Sequence, residues 1–428
     1  VAENPSLLSD ALSQRSRWAG GQPISRLMAV ALERPELISL AAGFVDPDSL
    51  PVEDVRLAID ALLSHPERAR GALQYGSTLG HAPLRAALAE RATEADQRLG
   101  LETRLRTEQT IITAGSNQLL HLVGEVLIDP GDIVLCCAPT YFVFLGTLTN
   151  LGARSVGVES DDGGMIPEAL DAALAYLDRS DALDRVKALY VASYFDNPRS
   201  ISLSADRRPQ LVEVVRRWSS HHPIYVIDDT AYRPLRYEGG DLPGLVAYDP
   251  DSELVIETGT FSKSYCPGVR LGWGFLPLSL VGPLSDLKGN VDFGAPSLAQ
   301  YAMHHILVGG QYDKQVGRLC AAYARKRDAM LRAVETYIGP LAGVHFTRPR
   351  GGLYMWLTLD PSIDTGPEGR LLHEALDAGV LYVPGQYCCP AEGPRLNNTL
   401  RLSFGTATEE QIAQGVKYLG DAIGTVSG

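Results

Sequence analysis

Cysteine is scarce in this chain, with six among 428 residues and none in a C-x-x-C pair. They occur as the neighbours Cys136-Cys137 and Cys388-Cys389 and as the single Cys266 and Cys320. That spacing excludes a disulfide framework, a zinc ribbon and a dithiol redox motif, and predicts reduced, mostly buried thiols. Long apolar runs are missing too, since nothing approaches the roughly 20 residues that a membrane span needs. The amino end, VAENPSLLSDALSQRSRW, has no basic region leading into an apolar run, so no membrane partner is expected and cytoplasmic residence follows. Positive charge is in deficit: 38 Lys+Arg against 51 Asp+Glu leaves a net charge of -13, which argues against nucleic acid as a partner.

Several catalytic signatures are also absent. There is no G-x-x-x-x-G-K-[ST] and no G-x-G-x-x-G, because Gly268, Gly272 and Gly274 are wrongly spaced, so a nucleotide enzyme is not expected. The pairs His221-His222 and His304-His305 are adjacent rather than one helical turn apart, H-E-x-x-H does not occur, and no metal site is expected. Without G-x-S-x-G, nothing supports a hydrolase.

What is present reads as an ordinary globular chain, 45% hydrophobic and 21% charged, long enough for two or three packed units. Short apolar runs alternate with helical-period segments: TIITA (110–114), DIVLCCA (132–138), SVGVE (155–159), VKALYVAS (186–193), IYVID (224–228), ELVIETG (253–259) and RLGWGFL (270–276). Their continuous rather than alternating hydrophobicity predicts strands covered on both faces, hence an α/β fold with a mostly parallel sheet between helical layers. Beyond residue 310 a long helical stretch, the segments VLYVPG and TLRLSF and a closing helix read as a smaller α+β domain. The expected division is a segment over 1–60 packing near the small domain, a large domain over 61–310 and a small domain over 311–428.

Ligands of such sheets bind beyond the carboxyl ends of the strands, so the chemistry is sought in the following loops. After TIITA, Gly115, Ser116 and Asn117 open a helix whose free N–H groups attract an anion, although a small-residue cap is the simpler reading. After IYVID stand Asp229 and Tyr232, and after ELVIETG stand Thr260, Ser262, Lys263 and Arg270. Two hydroxyls and an arginine around a lysine suit a dianionic phosphate held close to an amine. A cofactor with a phosphate, an aldehyde and a basic ring nitrogen meets all these features, and pyridoxal 5'-phosphate has the three. Lys263 would form the Schiff base, and Asp229 would keep the ring nitrogen protonated. Tyr232 and Asn197 would reach the phenolic oxygen, and Tyr141 would stack on the ring, with a half-buried core aromatic as its simpler reading.

These residues lie in segments that resemble the class I/II pyridoxal-phosphate aminotransferases of fold type I, nearest the branch of 2-aminoadipate and kynurenine aminotransferases. The segments are LISLAAGFVDPDSLP, LQYGSTLGHAPLRAALAER, TAGSNQ, APTY, DNP, IDDTAY, TFSK with Arg270, RPRGGLYMW, VLYVPG and LRLSFG. The resemblance implies an aspartate-aminotransferase-like fold and transfer of an amino group from an L-amino acid to a 2-oxo acid by a ping-pong route. It implies Lys263 as cofactor lysine and proton shuttle, and Asp229 as ring-nitrogen partner, with Asp228 the alternative one residue away. Gly115, Ser116, Asn117, Thr260, Ser262 and Arg270 become the phosphate cup. Tyr75 would reach the phosphate of a neighbouring subunit, implying a homodimer. Arg401 would bind the substrate carboxylate, supported by Asn197, and Gly43 would lie against the substrate.

Departures from the family pattern border the site. Asn197-Pro198-Arg199-Ser200 replaces Asn-Pro-Thr-Gly, Gly43-Phe44-Val45-Asp46-Pro47 replaces Gly-Leu-Pro-Asp-Pro, and Gln386-Tyr387-Cys388-Cys389 displaces an aromatic. Arg15, Arg17 and Arg26 lie where a mobile cover is expected and are candidates to read an acidic side chain, or a solvated helix face. Arg199 beside the cofactor loop keeps open an alternative outcome on the same cofactor: oxidation, hydroxylation, elimination or cyclisation. A ligand-sensing module without catalysis is the other alternative, but such regulators add a DNA-binding segment, which is not expected here. Lys263→Ala is expected to abolish both the visible absorbance of the bound cofactor and all turnover, measured by spectrum and by assay of the purified variant.

Overall fold

The computed structural model describes residues 11–19, 27, 29–31, 33–220 and 222–427, so Arg26 and His221 lie outside the described residues. Seven strands form the main sheet: β1 (Thr110–Thr113), β2 (Ile133–Cys137), β3 (Arg154–Val158), β4 (Val186–Val191), β5 (Tyr225–Asp229), β6 (Val255–Thr260) and β7 (Gly272–Phe275). Their order is β1-β7-β6-β5-β4-β2-β3. All neighbours are parallel except β7, which runs antiparallel to both β1 and β6.

Alternate residues of the apolar runs go to opposite layers, as the pleat requires. Ile133, Leu135 and Cys137 join Leu211, Val212 and Val215 of one helix, Arg207–Trp218. Val134 and Cys136 instead join Leu119, Leu122 and Val123 of helix α1, Ser116–Leu127. Both faces are therefore dry, and the three-layer α/β/α sandwich expected from unbroken hydrophobicity is present.

A second sheet, antiparallel throughout, is ordered β8-β9-β11-β10, with β8 His345–Phe346, β9 Tyr354–Thr358, β10 Val383–Pro384 and β11 Thr399–Ser403. It shares its core with helix α2, Gln311–Tyr337, through Ala329, Met330 and Val334. At 27 residues α2 is about 40 Å long and joins the two sheets. Its first turn packs Tyr312 against Phe261, and the Tyr312 hydroxyl donates to Ser264 Oγ at 2.9 Å. Ile38–Ser39 pairs in parallel with Val380–Leu381, whereas Trp18 lies against Gly152, beside the main sheet. Among the described residues no helix is long and apolar enough to cross a membrane.

The β7 register is the tightest constraint on the main sheet. Gly272 sits opposite Thr113 on one side and Thr260 on the other. A Cβ there would come within 2.5 Å of Ser116 N, 2.6 Å of Gly115 C and 2.9 Å of Gly259 O, all of them backbone atoms that cannot rotate away. Gly272→Ala is expected to cost on the order of 2 kcal/mol in denaturant unfolding and to speed cofactor loss on dialysis. Gly317→Ala, on an exposed face of α2 with nothing within 4 Å of the new Cβ, is the control and should be neutral or slightly stabilising.

Candidate active site

The carboxyl ends of β1, β4, β5 and β6 open onto a cavity of about 210 Å³ lined by Gly115, Ser116, Asn117, Tyr141, Tyr190, Asn197, Asp229, Tyr232, Thr260, Ser262, Lys263 and Arg270. Strand alternation decides between the two aspartates that end β5. Asp229 faces this cavity. Asp228 does not line it: its Oδ2 accepts from Leu245 N at 3.2 Å, away from the cavity. Asp229 Oδ2 accepts from the Tyr190 hydroxyl at 2.9 Å and its Oδ1 from Ala231 N at 3.1 Å. Burial pushes the Asp229 carboxyl up to about 6, against those two hydrogen bonds and with the help of neighbouring Asp228.

An anion cradle lies at the other end of the cavity. Gly115, at φ 85°, turns the chain from β1 into α1 in a conformation that a side chain disfavours. It thereby starts a 12-residue helix, whose first N–H groups have no intrahelical acceptor, at residues that line the cavity. Thr260 caps the next short helix, Phe261–Ser264, its Oγ1 accepting from Ser262 N at 3.1 Å. Arg270 is left-handed at φ 51°, and its Nη2 lies 3.3 Å from where a Gly115 Cβ would stand, so the guanidinium covers the α1 turn. Lys263 Nζ donates to the Gly43 carbonyl at 2.6 Å, and among the described residues no carboxylate reaches it within ion-pair distance. The Gly43 segment is itself held by Asp46, which pairs with Lys326 of α2 at 2.8 Å.

The third part comes from the smaller sheet. Arg401 on β11 is 1% exposed; its Nη1 donates to Asn197 Oδ1 at 2.8 Å and its Nη2 to the Ala41 carbonyl at 2.6 Å, while its buried Nε has no partner among the described residues. Its guanidinium lies 4.1 Å from the Tyr354 ring centroid and 5.3 Å from that of Phe142. Tyr354 and Tyr232 place their hydroxyls 2.9 Å apart. Tyr141 sits half-buried with its hydroxyl 3.3 Å from Asn117 Oδ1.

Arg199, Arg15, Arg17 and the Cys388-Cys389 pair lie outside this cavity. Arg199 is buried and does not line this cavity: it pairs with Asp196 at 3.1 Å, donates to Ser160 Oγ at 2.9 Å, and so is a satisfied structural cation. Arg15 pairs with Glu125 at 2.6 Å on the surface, and Arg17 is exposed on the same helix. Cys388 is buried and Cys389 half-buried, both free and outside the cavity lining. Tyr75, expected in the site of a neighbouring subunit, is 87% exposed and lies outside this chain's own cavity. Sequence reasoning missed Tyr190 and Tyr354; each was visible only as an aromatic within a strand.

The residues present meet three separate demands: N–H groups and Arg270 for a phosphate, Lys263 for an aldehyde, and a buried, raised carboxyl at Asp229 for a basic ring nitrogen. Together with the three-layer sheet they define a fold type I enzyme built for pyridoxal 5'-phosphate. The chain belongs to the aminotransferase class I and II family, whose pattern it matches over residues 35–419. It is 34% identical over 393 residues to aromatic-amino-acid aminotransferase 1 of Thermococcus litoralis, covering 92% of this chain and 89% of that one. The solved kynurenine aminotransferase of Pyrococcus horikoshii, in complex with PMP, superposes with a TM-score of 0.89 at 31% identity, over 98% of each chain. LysN, the α-aminoadipate aminotransferase of Thermus thermophilus complexed with N-(5'-phosphopyridoxyl)-L-leucine, gives 0.83 at 30% identity over 98% and 99%. The protein is a pyridoxal-phosphate-dependent aminotransferase acting on amino acids and 2-oxo acids. When bound, its cofactor supplies an aldehyde for the amino group and a protonated ring that draws electrons from the substrate Cα.

Asp229 gives a pH prediction for the cofactor-free protein. Its folded pKa of about 6 lies above the ordinary 3.8, so the folded chain holds the proton more tightly. That contribution is full below the unfolded pKa and is lost as pH rises through the folded one. Between pH 4 and 7 the wild type is expected to lose about 2 kcal/mol relative to Asp229→Asn, whose amide cannot ionise, in urea unfolding of both apoproteins.

Proposed function

We propose that Lys263 Nζ carries the cofactor and moves the proton at the substrate Cα, and that the Asp229 carboxylate holds the ring nitrogen protonated. Tyr232 and Asn197 hydrogen-bond the phenolic oxygen, and Tyr141 packs on the ring face. Gly115, Ser116, Asn117, Thr260, Ser262 and Arg270 hold the phosphate. Arg401 takes the substrate carboxylate in a bidentate pair, with Gly43 against the substrate. The observation that carries this reading is the meeting of Lys263, Asp229 and Arg270 around one cavity.

The amino donor is an aromatic or other large apolar L-amino acid, and the two substrates react in turn. Arg15 and Arg199 are paired elsewhere, and the exposed Phe44 lines the cavity. The names of the aromatic-amino-acid and kynurenine enzymes agree with that choice. Tyr75 serves the site of a second copy in a homodimer, a role supported by its exposure beside exposed Phe293 and Leu73. Six free thiols favour a reducing, cytoplasmic setting, and the net charge of -13 disfavours nucleic acid or an anionic membrane as a partner. Residues 1–60, 61–310 and 311–428 divide into a covering segment, a large domain and a small domain, supported by the pairing of Ile38–Ser39 with Val380–Leu381.

A spectral screen tests this function. Aromatic donors, including kynurenine, should convert the bound cofactor to its amine form faster than 2-aminoadipate or cationic amino acids, and a 2-oxo acid should reverse the change. Oxygen uptake or ammonia release without that reversal would refute transamination. Arg401→Ala should raise KM by about a hundredfold with a smaller change in kcat. Borohydride reduction followed by peptide mapping should tag Lys263.

A further inference from the structure

Tyr354 touches the proposed machinery at three points. In the β9–β11 pairing Tyr354 stands opposite Ser403 and Trp356 opposite Arg401, so Tyr354 and Arg401 are diagonal neighbours on one face of the smaller sheet. The Tyr354 ring therefore lies under the Arg401 guanidinium at 4.1 Å. Its hydroxyl is 2.9 Å from that of Tyr232 on the main sheet. The same hydroxyl occupies the space that a side chain at Gly43 would need, 2.6 Å from the position of its Cβ. Gly43 in turn accepts from Lys263 Nζ.

The backbone of Tyr354 is tied as well. Its N–H donates to Ser200 Oγ at 3.1 Å. Ser200 is held left-handed at φ 55°, where the family pattern Asn-Pro-Thr-Gly has glycine, so the conformation is kept at the cost of strain. The serine hydroxyl thus adds a link, from the Asn197 loop of the main sheet to β9 of the smaller one, that glycine cannot make. Asn197 and Ser200 are three residues apart, and Tyr354 and Arg401 are adjacent across strands. The Asn197–Arg401 contact is therefore braced by a parallel Ser200–Tyr354 contact.

We infer that Tyr354 is a positioning residue with two separable actions: its ring holds the Arg401 guanidinium for the substrate carboxylate, and its hydroxyl fixes the Tyr232 phenol, with Ser200 anchoring it to the loop. This rests on the roles proposed above for Arg401 and Tyr232. The cation over the ring face is attracted by the aromatic quadrupole, and the ring also blocks water from a buried guanidinium. The groups facing Tyr232 are Tyr354, Tyr141 and Arg401, with Lys263 and Asp229 in the same cavity. Of these, Tyr354 alone has a hydroxyl within hydrogen-bond distance of the Tyr232 hydroxyl among the described residues.

The two actions predict different variants. With the holoenzyme, calorimetric titration of 3-phenylpropionate, a carboxylate with no amine to react, reads the Arg401 site. The pH titration of the cofactor's visible absorbance reads the Tyr232 environment. Tyr354→Phe keeps the ring, so the carboxylate Kd should stay within about twofold while the absorbance midpoint shifts by at least about half a pH unit. Tyr354→Leu should weaken the carboxylate by about tenfold and shift the midpoint as well. Ser200→Ala keeps both side-chain groups of Tyr354 and loses only the tie, so it should weaken the carboxylate by about threefold. It also keeps the inference testable if the leucine variant fails to fold. An unmoved absorbance midpoint in Tyr354→Phe, or full carboxylate affinity in Tyr354→Leu or in Ser200→Ala, would overturn the inference. Arg401→Ala separates the two levels: if it leaves the carboxylate Kd unchanged, the assignment of Arg401 is wrong, whatever Tyr354 does.

Discussion

The site depends on one antiparallel strand inserted into an otherwise parallel sheet. β7 lies between β1 and β6, and its first residue, Gly272, is level with the last residues of both. Because β7 runs the opposite way, the chain enters it at the edge where its neighbours end. Arg270, two residues before, is thereby delivered to the same place as the start of α1 and the Thr260–Lys263 turn. A parallel strand in that slot would leave Arg270 at the far edge of the sheet. The missing side chain at Gly272 lets the α1 turn close onto this corner, and the left-handed backbone at Arg270 turns the guanidinium over it. Anion binding is thus a consequence of strand direction as much as of the residues that do it.

The charge arrangement beneath the cavity follows from the same sheet. Asp229 and Asp228 are consecutive on β5, so one carboxyl faces the cavity and the other the opposite layer. Asp228 is paired in register with Glu257 on β6, two buried acids side by side. Both are raised, chiefly by burial, and the nearby Arg208 and Arg233 moderate the effect. Arg233 is itself committed to Asp96 at 2.8 Å. Asp229 consequently sits over a region that is already crowded with acids, and Asp228 adds to the pressure that keeps its proton on. In the proposed binding mode a cationic ring nitrogen relieves that pressure, so the site suits the protonated ring rather than a neutral one.

The proposed carboxylate site belongs to neither sheet alone. Arg401 comes from β11, Asn197 from the loop after β4, and the Ala41 carbonyl from the segment ahead of Gly43. Helix α2 keeps these parts in register, with Tyr312 against Phe261 at one end, Lys326 on Asp46 along its length and Val334 in the smaller core. The substitution of Arg-Ser in the Asn197 loop fits this view. Arg199 tightens the loop from beneath through Asp196, and Ser200 reaches across to Tyr354. What looked in the chain like a new cation beside the cofactor is a brace for the loop.

Strand positions, the layers and the residues around Lys263 were legible in the linear chain because each rests on a local pattern: unbroken apolar runs, a small-residue turn before a helix, hydroxyls spaced about a lysine. Strand alternation also implied that only one of Asp228 and Asp229 faces the ligand, but which one required the sheet. The roles of Arg199 and Arg15 were not legible, since a cation's meaning lies in its partner, and Asp196 and Glu125 become partners only on folding. Tyr190 and Tyr354 were hidden for a related reason: in sequence they are strand aromatics, and only the strand order brings one hydroxyl to Asp229 and the other to Tyr232. The sequence by itself determined the chemistry on offer, an amine, an acid and an anion cradle, because side-chain type and spacing are written there. Tertiary structure decided which of these groups meet, which are neutralised elsewhere and what holds each in place, because those are distances between residues far apart along the chain.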